Sequence, residues 1–540
     1  MKRNLFIAAT SLLFIARFFL FISSQDIGVE HDSGWYLGVA RNVAERGIYA
    51  SYTNTIATTE KVGGFPSIHN RFSVQDKNGY NYFPAGVTVG PTYVLSEAVF
   101  LKLFGYGWIQ YRLLPFISFC ILLPVLFFII LQIGSYVGLI FFQLWLWCYP
   151  QLFLTLSFEA FSEHIALLLL FIGFLLFQKW LDSPKKNGYI ILSGLSFGLS
   201  IQTKNLYLLG FLFTIIFLLL ITKKERSIRS LSLFLLFLSL PTLLFEIYRF
   251  VVLFTQFGFA GWWANNIDIK RTWQSGGSGI QALRNGLNIR FVYNKLSVWK
   301  HIGTDPYFFI WPLILISPFL RKKKSYLYWT LLTSTFVFFV WFGTLSTTGW
   351  FRHALPGVIM GMIIVSIGIE DLFKKAVDTK KLSSIFIYIL FLGSIISTFV
   401  TSPLALHQFT ITKKQATYLY MAKSPNKMQG PLFAPPFSKK DQEEVMTYIN
   451  KDVSSTTRIC FYEWALIAEL PPLVDRVFYP YPRCKQEDIL IIGPYQKGIY
   501  AINNVNVPFL IQTLCNGVVL NNTTYTVCKI KKINTSPAGR

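Results

Sequence analysis

The sequence predicts a polytopic α-helical membrane protein of about 11 transmembrane helices, followed by a small C-terminal α/β domain outside the membrane. Three observations predict it. Hydrophobic residues make up 53% of the chain and charged residues only 14%, and the apolar residues fall into blocks near the ~20 that cross a bilayer. Basic residues gather in short connections between those blocks, "KKNG" at 185, "KKERSIR" from 223, "RKKK" from 321 and "KKAVDTKK" from 374. Loops with that bias stay in the cytoplasm and orient the spans. Residues 403–540 then lose the long apolar blocks altogether. The formal net charge of +24 therefore reports topology rather than nucleic-acid binding.

Span one covers roughly 4–23, "NLFIAATSLLFIARFFLFISS" with its flanks. It follows Lys2 and Arg3, is interrupted by Arg17 and has no small-x-small cleavage site, so it is expected to be a retained signal-anchor. It leads into an outer loop at 24–107 that carries "VEHDSGWYLGVARNVAERGIY", with a helix expected over 33–46 that stops at Gly47. In the same loop "NYFPAGVTVGPTYVLSEAVFLKLFG" is expected to place a helix at the membrane surface, because Glu97 and Lys102 interrupt it. Span two is "RLLPFISFCILLPVLFFIIL", span three lies near 133–156, and the turn between them at 132–135 has no basic residue. Span four follows the outer loop "SFEAFSEH", and spans five and six form a hairpin around "QTKN". Span seven (231–255) opens onto an outer loop at 256–305, and span eight ends at the basic cluster 321–324. Spans nine and ten meet outside at "STTGWFRHALPG", and span eleven, around 382–402, leaves 403–540 outside.

The expected domains are thus a transmembrane catalytic unit at 1–402 and an extracytoplasmic α/β unit at 403–540. In the tail "SKKDQEEVMTYINK" predicts a helix capped by Ser438. "RICFY", "DILIIG" and "TYTVCKI" predict strands. Four of the six cysteines lie there, Cys460, Cys484, Cys515 and Cys528. An even number in an oxidising compartment suggests disulfides, and the local pairs 460–484 and 515–528 close the shortest loops.

Ionisable residues converge on the outer ends of the spans. Asp32 lies in the first outer loop, Glu159 and Glu163 in the second, Lys204 in the third, Arg271 in the fourth, Arg352 and His353 in the fifth. Each has an ordinary structural role open to it. Asp32 suits a helix N-cap, Glu159 or Glu163 the cap of span four, Lys204 a snorkelling helix end, and Arg352 and His353 an interfacial anchor. Charge near hydrocarbon costs at least ~2–3 kcal/mol and usually faces a cavity or a partner. Together these residues suggest a site for an anionic lipid and a polar acceptor.

Taken in order, these motifs resemble the GT-C glycosyltransferases, especially bacterial aminoarabinose transferases and protein O-mannosyltransferases that use polyprenyl-phosphate sugars. "EHDSGWYLGVARNVAERG" is similar to the acidic first-loop motif, with Asp32 in the place of the catalytic acid. "YFPAG…LSEAVFLKLFG…RLLPF" resembles the juxtamembrane helix and the span after it. "FSEHIALLLLF" resembles the second acidic loop, with Glu163 in the acid's place and Glu159 beside it. "SGLSFGLSIQTKNLYLL" is similar to the glycine-rich hairpin ending in Thr-Lys, and "WFRHALPG" to a late Arg-aromatic-Pro element. The resemblance covers roughly 1–400 and has departures. Phe83 stands where a Lys often precedes the first-loop Pro, leaving Tyr82 as a weaker phosphate contact, and Glu163 replaces a common Asp.

The resemblance implies a GT-C-like glycosyltransferase of the cell envelope, an integral (inner, if bacterial) membrane protein with its site on the outer face. The donor would be a polyprenyl-phosphate monosaccharide, and the acceptor a lipid-linked glycan or a secreted protein. Asp32 would be the base and Glu163 its companion acid. Arg352, Lys204, Arg271 and His353, with Tyr82 and Glu159, would hold donor phosphate or substrate. No cofactor is implied with certainty, and a divalent cation is the one candidate. The rival classes are a transporter or flippase of a lipid-linked sugar, for which Glu246 and Arg249 within span seven are the relevant pair, and a non-catalytic assembly protein.

Overall fold

The computed structural model describes residues 28–52, 61–62, 65–66, 74–84, 90–148, 161–225, 228–275, 312–321, 325–345, 351–379, 438–462, 467–493 and 507–531, with six further positions between 7 and 15. The rest of span one, Glu159, span eleven and the boundary at 402/403 lie outside the described residues.

The chain enters helix α1 at His31–Arg46, and a short sheet follows from β1 (Ala50–Ser51), β2 (Val74–Gln75) and β3 (Asn81–Tyr82), with β3 in the middle. Helix α2 (Pro91–Phe104) forms within the segment expected to hold a surface helix, and its Glu97 is fully buried. The bundle then runs through α3 (Gln110–Ile133), α4 (Tyr136–Cys148), α5 (Glu163–Asp182) and α6 (Asn187–Thr203). A 3₁₀ segment at Asn205–Phe211 continues into α7 (Leu212–Glu225), followed by α8 (Ile228–Ser275), α9 (Pro312–Leu320), α10 (Tyr326–Val340) and α11 (Phe351–Thr379). Among the described residues four helices are long and apolar enough to cross a membrane, at 110–133, 163–182, 228–270 and 355–375, with shorter apolar helices at 205–220 and 326–340. Helices suit this setting because they satisfy every backbone polar group within the segment.

The segment assigned to an outer loop from 256 is helical to Ser275, so Arg271 sits on helical backbone. The helix is broken at Gly258, whose φ of 68° lies in the left-handed region that costs glycine nothing. Arg249 secures the break. Its Nε donates to Glu246 Oε2 at 3.0 Å, Nη1 to Asn265 Oδ1 at 2.7 Å and Nη2 to Asn266 Oδ1 at 2.8 Å. Asn265 in turn donates to the Phe83 carbonyl at 3.0 Å, tying this corner to the first loop. The acid–base pair within span seven thus serves as a clamp.

At the far end of the bundle, the turn at 132–135 is held by Glu370 of α11. Its Oε2 accepts from the Ser135 and Gly138 amides at 2.7 and 3.2 Å, and its other oxygen pairs with Lys374. Arg321 binds both oxygens of Asp371 at 3.1 Å beside it. The turn that lacks a basic residue of its own is therefore held by a carboxylate that Lys374 also binds.

The C-terminal unit has helix α12 (Lys439–Asp452), capped by Ser438 as expected through its Oγ, which accepts from the Asp441 amide at 3.2 Å. Its mixed sheet contains β4 (Ile459–Phe461), β5 (Phe478–Pro480), β6 (Ile489–Ile492), β7 (Cys515–Asn521) and β8 (Thr526–Ile530) in the order β5-β4-β6-β8-β7. β4 runs parallel to β5 and β6, and β8 antiparallel to β6 and β7. The expected strands are β4, β6 and β8. β5 and β7 are not legible in the sequence, because "FYP" ends in a proline that disfavours a strand and "CNGVVLN" is largely exposed at the sheet edge.

Cys460 pairs with Cys484 and Cys515 with Cys528, the two local links expected. Mass spectrometry of unreduced peptides should recover both. Reduction should lower the thermal midpoint of this unit, since each link closes a loop for which chain entropy gives about 3 kcal/mol. Four free thiols in the native protein would remove this prediction.

Candidate functional site

The N-terminus of α1 is built around Glu30. This fully buried residue is the N-cap, and its Oε2 accepts from the Asp32 amide at 2.7 Å and the Ser33 amide at 3.2 Å. The helix therefore starts two residues before the expected 33, and Asp32 is not its cap. Asp32 lies in the first turn, where the positive end of the helix favours a carboxylate, and its side chain is only partly buried, unlike His31 and Ser33 on either side.

Arg112, at the start of α3, donates to the Gly28 carbonyl at 3.4 Å. From the C-terminal unit, Gln442 brackets Val29. Its Oε1 accepts from the Val29 amide at 2.9 Å, and its Nε2 donates to the Val29 carbonyl at 2.7 Å. Gly34 packs against the backbone of Glu469 so closely that a Cβ there would stand 2.2 Å from its Cα. Only glycine fits that approach.

A second constellation sits where α5 begins and α6 ends. Lys204 has an extended backbone, φ −157° and ψ 113°, that terminates α6 before the 3₁₀ segment starts. That break turns its side chain inward, and its Nζ forms a buried ion pair with Glu163. The Tyr207 hydroxyl donates to the Glu163 carbonyl at 3.2 Å. The first loop docks on the same break, since the Gly90 amide donates to the Thr203 carbonyl at 2.8 Å and Thr92 Oγ1 donates to Gln202 Oε1 at 2.7 Å. Glu163 and Lys204 are thus brought together.

The other candidates are more dispersed. Tyr82 is buried in β3, with its ring against Phe257 of α8. His353, at the start of α11, has its ring 6.4 Å from that of Trp341. The side chains of Arg271 and Arg352 lie outside the described residues, although both positions are helical. Among the described residues the one cluster of metal-donor types is Cys460, Cys484 and Asp488, and its two sulfurs are joined in a disulfide.

Sequence reasoning missed Glu30, Gln442 and Glu469. Glu30 caps amides two and three residues along, the role that its neighbour Asp32 also suits, whereas nothing in "DQEEV" or "IAELPP" marks Gln442 or Glu469, because each meets Val29 or His31 across more than 400 residues of chain. A further clamp joins the other end of α1 to the same unit. Arg46 Nη2 donates to both Asp475 oxygens at 2.8 Å, and the Tyr52 hydroxyl donates to Oδ1 at 2.6 Å. Burial pushes the Asp475 carboxyl up, but these hydrogen bonds and the charges of Arg41 and Arg46 outweigh it, leaving it below the ordinary carboxylate range.

No protein-family model and no curated protein matches the sequence. Solved structures do match. ArnT from Cupriavidus metallidurans bound to undecaprenyl phosphate aligns over 98% of this chain and 98% of its own, with 13% identity and a TM-score of 0.59. The apo state of the same protein gives 12% identity and a TM-score of 0.58. The apo oligosaccharyltransferase of Archaeoglobus fulgidus aligns over 94% of this chain and 72% of its own, with 11% identity and a TM-score of 0.52. The chain therefore shares the fold of these solved structures.

Proposed function

We propose that this chain is an integral membrane glycosyltransferase that moves a monosaccharide from a polyprenyl-phosphate donor to a lipid-linked glycan or a protein acceptor. The observation that carries this reading is the pairing of a full-length GT-C fold with Asp32 in the first turn of α1, where Glu30 has taken over the capping. A carboxylate relieved of that structural task is suited to accept the proton of an attacking hydroxyl. The donor's phosphate is already a good leaving group, so direct displacement inverts the anomeric carbon without a covalent enzyme intermediate. Lys204, Arg271 and Arg352 would hold the phosphate and stabilise the charge it gains as the sugar departs. Glu163 would position Lys204, consistent with their buried pair. His353, Tyr82 and Glu159 would line the substrate space, with the site on the outer face of the membrane.

The transporter reading loses its sequence basis, because Arg249 is engaged with Glu246, Asn265 and Asn266 in the corner at Gly258. The reading is tested with purified protein in nanodiscs and undecaprenyl phosphate as the probe. Native mass spectrometry should show one bound lipid phosphate, and absence of any binding would overturn the reading. Arg352→Lys should weaken that binding about tenfold, since a planar guanidinium matches two phosphate oxygens and an ammonium does not. Unchanged affinity would move the phosphate site away from Arg352.

A further inference from the structure

The residues flanking Asp32 are held by the C-terminal unit as well as by the helical bundle. Gln442 bonds both backbone polar groups of Val29. Its Nε2 also donates to the Tyr525 hydroxyl at 3.2 Å, and that hydroxyl donates to Glu469 Oε1 at 2.9 Å. The second oxygen of Glu469 lies 3.8 Å from His31 Nδ1, one residue before Asp32. The backbone of Glu469 is the surface on which Gly34 rests, two residues after Asp32. Gln442, Tyr525 and Glu469 are essentially inaccessible, and His31 is 5% exposed.

We infer that Glu469, acting with Gln442, is a positioning residue for the Asp32 carboxylate, so that the C-terminal unit is a working part of the catalytic site. This rests on the reading of Asp32 as the base. A connected set of buried hydrogen bonds fixes geometry cooperatively, and each member is costly to leave unpaired. The requirement for such fixing is steep, since a reacting group displaced by about 1 Å can lose ~100-fold in rate. The network is hydrogen-bonded to Val29 just before α1, and its Glu469 lies against His31 and Gly34 in the first turn, so the three contacts bracket Asp32 in the chain. The clamp at Arg46 and Asp475 joins the same two units, but it lies fourteen residues further along α1, about 21 Å at helical rise. It therefore serves as an internal control, because loosening it weakens the same interface without touching the Asp32 turn.

The experiment compares full-length Glu469→Gln with Asp475→Asn. The glutamine keeps the shape and an acceptor for Tyr525 while removing the charge that faces His31. Hydrogen exchange at amides 29–34 should rise about tenfold in Glu469→Gln and stay at the wild-type rate in Asp475→Asn. Transfer by Glu469→Gln should show kcat about tenfold lower with KM for the donor unchanged, and Asp475→Asn should stay within about twofold of wild type at a comparable loss of thermal midpoint. Glu469→Asp, which keeps the charge, should recover part of kcat and serves if the glutamine variant does not fold. An equal fall of kcat in Glu469→Gln and Asp475→Asn, tracking their thermal midpoints, would reduce Glu469 to an interface residue. Unchanged exchange at 29–34 would overturn the inference outright. If wild-type protein transfers no sugar from any donor, the proposed activity fails, and the exchange data still decide whether Glu469 orders this turn.

Discussion

Asp32→Asn should abolish nearly all transfer, a fall of about a hundredfold or more, while leaving the fold and lipid-phosphate binding close to wild type. The stability side follows from Glu30. Because its carboxylate accepts from the Asp32 and Ser33 amides, the cap of α1 survives the substitution. What the helix loses is one favourable charge in its first turn, about 0.3–1 kcal/mol at most exposed positions. The amide is almost isosteric with the carboxylate and sits at a partly exposed position, so packing is undisturbed. The catalytic side follows from proton accounting, since an amide cannot take up the hydroxyl proton at neutral pH. Purified Asp32→Asn with intact undecaprenyl-phosphate binding and lost transfer is the expected pair of measurements. Wild-type transfer rates would assign the base elsewhere.

The fold was legible where composition decides it. Apolar blocks gave the helices of the bundle, and "SKKDQEEVMTYINK", "RICFY", "DILIIG" and "TYTVCKI" became α12, β4, β6 and β8. The segment from 256, rich in Trp, Gly and Asn, carries no local sign of helix, yet it is helical to Ser275 and Arg249 and Asn265 hold its turn-back at Gly258. Local sequence could not show that, since the bonds that stabilise it are tertiary. The same holds for the site. Asp32, Glu163 and Lys204 stand out as charges at the ends of apolar blocks, so their types and places could be read. Which of them touch could not. Glu163 and Lys204 are 41 residues apart, and Glu469 reaches His31 from the far end of the chain. Glu30 was hidden by its neighbour, because Asp is the commoner cap and lies two positions along.

Lys204→Met should destabilise the protein by about 3–5 kcal/mol, the usual consequence of stripping one partner from a buried ion pair. Glu163 is 1% exposed and Lys204 7%, so the carboxylate left behind has little water to turn to. The methionine fills most of the same volume, and packing loss is therefore a minor part of the effect. Glu163→Gln should be destabilising for the mirror-image reason, though less so, because the Lys204 stem can carry its ammonium toward solvent. Its cost in transfer should be smaller than that of Asp32→Asn, since Glu163 acts through Lys204. The double variant Glu163→Gln/Lys204→Met removes both charges and should recover most of the lost stability, giving a coupling well above the ~0.5 kcal/mol expected of independent sites. Transfer separates the two roles of the lysine. A lysine that only neutralises Glu163 predicts activity returning together with stability in the double variant. A lysine that also holds the donor phosphate predicts a stable protein with weakened binding of undecaprenyl phosphate and slow transfer, which is the outcome expected. Thermal midpoints of the four proteins in one detergent, measured alongside lipid-phosphate affinity, decide it, and additive midpoints would mean that the pair does not form in the membrane.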